Sequence, residues 1–529
     1  MRHAFMRTAS LSALILLSAA DASAADSAAQ KGVAALTAEM PIADLETEMS
    51  AGSLSSEELT RGALALIATR NARLHAVIAV NPDALDEARA SDKARKTAAA
   101  GPLAGIPILI KDNIETRDRM ATTAGSLALK DNLTYRDAPV VARLRAAGAV
   151  ILGKTNLSEW ANIRSSSSVS GWSAVGGLTA NPYQLDRTAC GSSSGSGAAI
   201  AADLAVIAVG TETDGSVTCP SSMNGLVGLK PTVGLVSRSL VVPISHSQDT
   251  PGPMGHSVRD VALLLNAMAG SDPADPATAE ADAHRADYAA ALTPDSLRGV
   301  RIGVLRDQLG SQPKTRLLFD AALATLAEAG AVIVDIADSK VDGLDDAEHA
   351  VLSFELKADL DAYLAATPAT VRTRSLKDLI AFDREHAAEE MAWFGQDLFE
   401  EAEQTAGLAD PAYLAATEKA RGAARRIDAL LADNGVTLLA APTTGPAWLS
   451  DPVNGDPDTG GPSAGQLAAT AGFPHLTVPM GAIQGLPVGL SLIGPKWGEG
   501  ALLRAGYAFE QARGPLARPN VTGPVAASR

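Results

Sequence analysis

The chain lacks most of the features that announce a function. Only two of its 529 residues are cysteine, Cys190 and Cys219, and aromatic residues make up 4%. A fold built mainly on disulfides is excluded, because such scaffolds are cysteine-dense. The eight histidines are scattered, and neither HExxH nor CxxC spacing occurs, so a zinc site has no support. There is no Lys/Arg-rich run and the net charge is −16. Neutralising a phosphate backbone needs a basic patch, so nucleic acid is not an expected partner. The glycine-rich stretch Gly191–Gly197 lacks both the Gly-Lys-Ser/Thr of a phosphate loop and the GxGxxG of a dinucleotide site. No apolar run reaches the roughly 20 residues of a bilayer span, and stable membrane insertion is not expected.

What is present begins at the N-terminus. Arg2, His3 and Arg7 precede an apolar stretch, Leu11–Ala20, and Ala22-Ser23-Ala24 offers small residues for cleavage. This pattern reads as a secretory signal over residues 1–24, giving an exported protein, periplasmic or secreted. Export would permit a disulfide, but a disulfide needs Cα atoms within about 7 Å. Free cysteine is commonly a small buried hydrophobe, and the sequence favours that reading for Cys190 and Cys219.

The remainder is 47% hydrophobic overall and alternates short apolar strands with helical patterns, as an α/β protein does. Helix is expected over Ile42–Ala79, with Ser53–Glu58 as a capped start, and again over Asp83–Ala100, Val140–Ala147 and Ala198–Leu204. Strands are expected at Pro107–Lys111, Ala149–Gly153, Ala205–Val209, Val300–Leu305, Ala331–Ile336 and Val436–Ala440. Leu476–Pro479 and Gly489–Ile493 read as a late strand pair. Leu352–Ala432 reads as one long helical region, Gly270–Asp287 as an exposed excursion, and the tail from Gly514 as loosely ordered. No repeat and no long linker divides the chain. The expectation is one large domain, residues 30–515, with a central mixed, twisted sheet flanked by many helices.

The chemistry concentrates between Thr188 and Thr232. Ser192 lies in a Gly/Ser loop and Ser216 in a second Gly/Ser turn, with an apolar segment between them. Gly191-Ser192-Ser193-Ser194-Gly195 matches GxSxG with Ser193 as nucleophile. That motif needs a strand directly before the serine, and Asn181–Arg187 reads as loop instead. A serine needs a base, and a lysine can be that base only when neutral. Lys111 ends the apolar run Pro107-Ile108-Leu109-Ile110-Lys111, where burial would lower its pKa from about 10.4. His246 and His256 lie near one another in sequence, but no ligand pattern completes them.

The run Pro107–Asn113, the Ser192 loop and Gly210-Thr211-Glu212-Thr213-Asp214-Gly215-Ser216 together resemble the amidase signature family. The likeness extends through Asn156–Trp160, Gly228–Thr232, Gln248–Met254, Asp272–Pro276 and Gly485–Leu490, in that order. It implies a Ser-Ser-Lys triad on a single α/β domain. Ser216 matches the acylated nucleophile, Ser192 the bridging serine that follows a cis peptide bond, and Lys111 the base. The backbone N–H groups of Thr213, Asp214, Gly215 and Ser216 match the oxyanion hole. The resemblance implies neither cofactor nor metal.

Departures are equally informative. The family pattern GTDTGGS, followed by an apolar residue and Arg, appears here with Glu212, Asp214 and Thr218. Cys190 and Ser194 replace glycines. Thr218 in place of Arg removes the natural clamp for a substrate carboxylate. GTETDGS, Gly171-Trp172-Ser173 and the exported N-terminus are similar to bacterial peptide amidases, which remove the C-terminal amide of peptides. The expected partner is therefore a small-molecule or peptide amide, acted on by a monomer. A glutaminase component of an amidotransferase and a noncatalytic exported binding protein are the alternatives. Trp172, Trp393 and Phe394 are candidates for the pocket wall, with core packing an equal reading.

Overall fold

The computed structural model describes residues 27–97, 100–462 and 464–521. The expected signal over residues 1–24 and the end of the Gly514 tail lie outside them. Residues 514–521 carry no regular element.

The helices form where local chemistry starts and stops them. Ser55 caps Ser56–Leu74 by accepting from Glu58 N, and the Glu58 carboxylate returns to Ser55 N, a closed capping box. The expected single helix over 42–79 is divided. Gly52, at φ 76°, ends Ile42–Ala51, and His75 ends the second helix before a short strand, Val77–Val80. The long helical region likewise breaks into Leu344–Ala365, Leu376–Glu385, Ala387–Glu390, Asp397–Glu403, Pro411–Ala420 and Gly422–Asp433. Pro368 follows the first of these, and Ser375 and Asp410 cap later ones through their side chains.

The strands are β1 (Val77–Val80), β2 (Pro107–Lys111), β3 (Val150–Thr155), β4 (Trp172–Ser173), β5 (Gly177–Leu178), β6 (Ile207–Glu212), β7 (Val227–Lys230), β8 (Thr250–Gly255), β9 (Arg301–Leu305), β10 (Val332–Ile336), β11 (Leu438–Pro442), β12 (His475–Ile483) and β13 (Leu486–Ile493). β4 and β5 pair separately, and the other eleven form one sheet in the order β1-β3-β2-β6-β8-β7-β12-β13-β11-β9-β10. It is mixed. β3, β2 and β6 are mutually parallel, as are β11, β9 and β10, while the strands between run antiparallel. Helices cover the sheet, so β2, β3, β6 and β13 are buried along their whole length and are largely apolar, with polar residues at the ends of β2, β3 and β6. This is the single large α/β domain expected. Its neighbouring parallel strands β2 and β6 end side by side, and crevices beyond the carboxyl ends of such strands are where open α/β sheets hold ligands.

Candidate active site

Lys111 is the last residue of β2 and is fully buried. Its Nζ lies 2.8 Å from Ser192 Oγ, 2.9 Å from Thr211 Oγ1 and 3.1 Å from Thr211 O. Desolvation is the main cause that brings its pKa down to about 7, against the opposing charges of Asp249 and Glu212. A neutral amine has two N–H bonds and one lone pair. As an ammonium, Nζ donates to all three oxygens; as a neutral amine with both N–H bonds on Thr211, it turns its lone pair to the Ser192 hydroxyl. Asn113 Nδ2 donates to the same Thr211 Oγ1 at 2.9 Å and holds that acceptor in place.

Ser192 sits in the loop before the helix Ser194–Ala201, and the Gly191–Ser192 peptide is cis. Ser158 N donates to Ser192 O at 3.0 Å, and Ser193 N donates to Ser216 O at 3.1 Å, stitching the two serine segments together. The hydroxyl of Ser193, the serine of the GxSxG match, is engaged with backbone. It donates to Thr211 O at 3.1 Å and accepts from Thr211 N at 3.2 Å, so it closes a gap between loop and β6.

Ser216 follows β6 and precedes the helix Thr218–Met223. It is 7% exposed, against 0% for Lys111 and Ser192, so it is the member of the three that a substrate can reach. Two acids shape its turn. The Glu212 carboxylate accepts from Val217 N at 2.7 Å, Thr218 N at 2.8 Å and Thr218 Oγ1 at 3.2 Å. It thus caps the short helix beyond the nucleophile turn, and Thr218 completes the cap. Asp249 accepts from Thr213 Oγ1 at 2.6 Å and from Ile244 N and Ser245 N at 2.8 and 2.9 Å; burial raises its pKa to about 6. Gly215 adopts φ 73°, a conformation open to glycine. Among the described residues, the backbone N–H groups of Asp214, Gly215 and Ser216 donate to no backbone acceptor. Three adjacent free donors are what an oxyanion requires.

The expectation of two free thiols is overturned. Cys190 and Cys219 form a disulfide, with Cα atoms 6.0 Å apart. The physical reason is the approach just described, which brings the residue two before Ser192 beside the residue three after Ser216. Converting both cysteines to serine opens a loop of 29 positions. Loop entropy then predicts a loss of about 3–4 kcal/mol of unfolding free energy, measured by urea titration. A change under about 1 kcal/mol would refute a tethering role.

Trp172 and Phe394 pack edge to face at 5.2 Å, with the Arg164 guanidinium 4.2 Å from the Phe394 ring centre, and Trp393 is surface-exposed. None of the three aromatic candidates lines the recess beside Ser216. That recess, about 490 Å³, is walled by Asp214, Gly215, Thr218, Asp345, Thr443 and His475 among others. His246 and His256 part company in the fold, the first meeting Asp359 at 2.8 Å and the second Glu39 at 3.6 Å. Sequence reasoning missed Thr211, Asn113 and Asp249. All three lie inside motifs quoted for the resemblance, but nothing in their order shows which of them faces Lys111 or Thr213.

Residues 58–503 match the model of a family described as Amidase. A probable amidase of Arabidopsis thaliana is 38% identical over 486 residues, covering 90% of each chain. One component of the glutamyl-tRNA(Gln) amidotransferase of Synechococcus is 37% identical over 505 residues, covering 88% of this chain and 92% of its own. Among solved structures, the native peptide amidase of Stenotrophomonas maltophilia superposes with a TM-score of 0.87 at 49% identity, covering 92% of this chain and 99% of its own.

Proposed function

This chain belongs to the amidase signature family and is an amide-hydrolysing enzyme, and from that premise we propose that it removes the C-terminal carboxamide of peptides as ammonia, through Ser216, Ser192 and Lys111. The observation that carries the mechanism is the buried Lys111 amine, 2.8 Å from Ser192 Oγ, with Thr211 O and Oγ1 as its other two partners. Lys111 accepts the Ser192 proton as Ser192 takes the proton of Ser216. Ser216 Oγ then bonds to the amide carbon, and the carbonyl electrons move to an oxyanion held by the N–H groups of Thr213–Ser216. Collapse breaks the C–N bond, and the stored proton leaves on ammonia. Water, deprotonated by the same relay, attacks the acyl-Ser216 ester. The carboxylate departs and Ser216 regains its proton.

The glutaminase alternative fits the recess less well. Its walls carry Asp214 and Asp345 and, among the described residues, no Lys or Arg to hold the carboxylate of free glutamine. The 49% identity to a peptide amidase supports the peptide amide reading. The Cys190–Cys219 bond supports action after export, since disulfides persist in oxidising compartments. No helix among the described residues is long and apolar enough to cross a membrane. We further propose a monomer, which light scattering on the purified protein checks.

An ammonia-release assay over N-acyl peptide amides, aliphatic amides and glutamine tests the substrate reading. Peptide amides should give the highest kcat/KM. A preference for glutamine would reverse the assignment in favour of the glutaminase.

A further inference from the structure

The recess beside Gly215 gathers several hydrogen-bond acceptors on one wall. Asp345 and Glu348 stand one turn apart on the helix Leu344–Ala365. Gln466 Nε2 donates to Asp345 Oδ1 at 2.8 Å and to Glu348 Oε2 at 2.9 Å, and Gln248 Nε2 donates to Glu348 Oε1 at 2.7 Å. These glutamines hold the acids against the turn that carries Thr213 and leave Asp345 exposed to the recess. Asp214 also opens onto it, yet close packing and the charges of Glu348 and Glu212 hold its carboxyl well above the usual range. Burial raises Glu348 as well. A site that gathers like charges in this way is eased by an incoming positive charge.

His475 adds an observation independent of the acids. It lines the same recess but is 1% exposed. Its Nε2 lies 2.6 Å from Ser491 Oγ, and Ser491 donates onward to Thr443 Oγ1 at 2.9 Å. Ser491 therefore accepts from Nε2–H, and Nδ1 is a lone pair with no partner. Desolvation, and then Lys230, bring the imidazole pKa down to about 3, so it stays an acceptor. A Cβ on Gly465 would stand 3.6 Å from Asp214 Oδ1 and 3.8 Å from His475 Cε1, so both border one space that the missing side chain keeps open. Lys230, the last residue of β7, is fully buried and donates to Pro231 O.

Resting on the amide-hydrolase reading, we propose that this recess is a subsite for a cationic nitrogen group on the acyl side of the substrate, an ammonium or guanidinium, so that Asp214, Asp345 and His475 select cationic peptide amides. Such a group brings several N–H donors and a positive charge to the Asp214 and Asp345 carboxyls that open onto the recess. The α-ammonium of an amino-acid amide and the side chain of Lys or Arg share this chemistry.

The test measures ammonia release from N-acetyl-lysinamide, N-acetyl-norleucinamide, leucinamide and N-acetyl-leucinamide. A side-chain cation predicts kcat/KM for the lysine amide about tenfold above norleucine, chiefly through KM; an α-ammonium predicts the same margin for leucinamide over its acetylated form. Asp345→Asn or Asp214→Asn should erase most of that ratio. Equal kcat/KM across both pairs in the native enzyme, or a ratio retained in both variants, overturns the subsite. Absence of ammonia from every amide would instead overturn the amide-hydrolase reading.

Discussion

Replacing Ser216 with alanine should lower kcat by on the order of 10⁴- to 10⁶-fold, the loss typical when a triad nucleophile is removed. The free N–H groups of Asp214–Ser216 and the Lys111–Ser192 pair would remain, but only water could attack, without a covalent intermediate. Residual turnover from the oxyanion donors alone is expected to be small but measurable. A fluorophosphonate probe separates loss of the nucleophile from loss of the fold. The native protein should gain the mass of one adduct and Ser216→Ala none. Ser193→Ala should still be labelled, because the Ser193 hydroxyl is occupied with the Thr211 backbone. Labelling of Ser216→Ala, or its absence from Ser193→Ala alone, would move the nucleophile to Ser193.

Lys111→Met should lower kcat/KM by about 10³- to 10⁴-fold, the usual worth of a positioned general base. Methionine keeps most of the buried volume while removing the amine, so the unfolding temperature should change far less than the rate. The pH profile gives an independent sign. Lys111 acts only when neutral, and its pKa is about 7. Below that value the ammonium form dominates, so kcat/KM should fall about tenfold per pH unit, and above it the rate should level off. Lys111→Met should lack this acid limb. A native profile flat from pH 5 to 8, or a Lys111→Met variant with near-native kcat/KM, would exclude lysine as the base.

Much of the site was legible because its chemistry is carried by contiguous motifs. Pro107–Lys111 reads as a buried strand from its apolar run, but position alone favours a surface lysine at the strand end, and only the resemblance gives Lys111 a role. The two serine turns stand out by their glycine content. Glu212 and Asp214, similar acids two positions apart, could not be separated in the same way. Glu212, the last residue of β6, folds back to cap the helix Thr218–Met223, whereas Asp214, past the strand end, opens onto the recess. The cysteines show the same limit. Their separation of 29 positions is compatible with either state, and their pairing follows from how the Ser192 loop packs against the Ser216 turn.

Helix boundaries erred where local stop signals were passed over, as at Gly52 and His75, whose left-handed caps turn one apparent helix into two helices and an edge strand. The sequence by itself determined the α/β class and the single domain, because these rest on periodicity, and it pointed to Lys111, Ser192 and Ser216 only through the resemblance of their motifs to a family. The tertiary structure alone decided which hydroxyl faces the lysine, that the N–H groups of Asp214–Ser216 have no backbone acceptor, that the cysteines pair, and that a recess carrying Asp214 and Asp345 opens beside Gly215. Those features join β2, β6, β12, two loops and the helix Leu344–Ala365 across hundreds of positions. Contacts at such separation are set by sheet order and packing, which no local pattern of residues encodes.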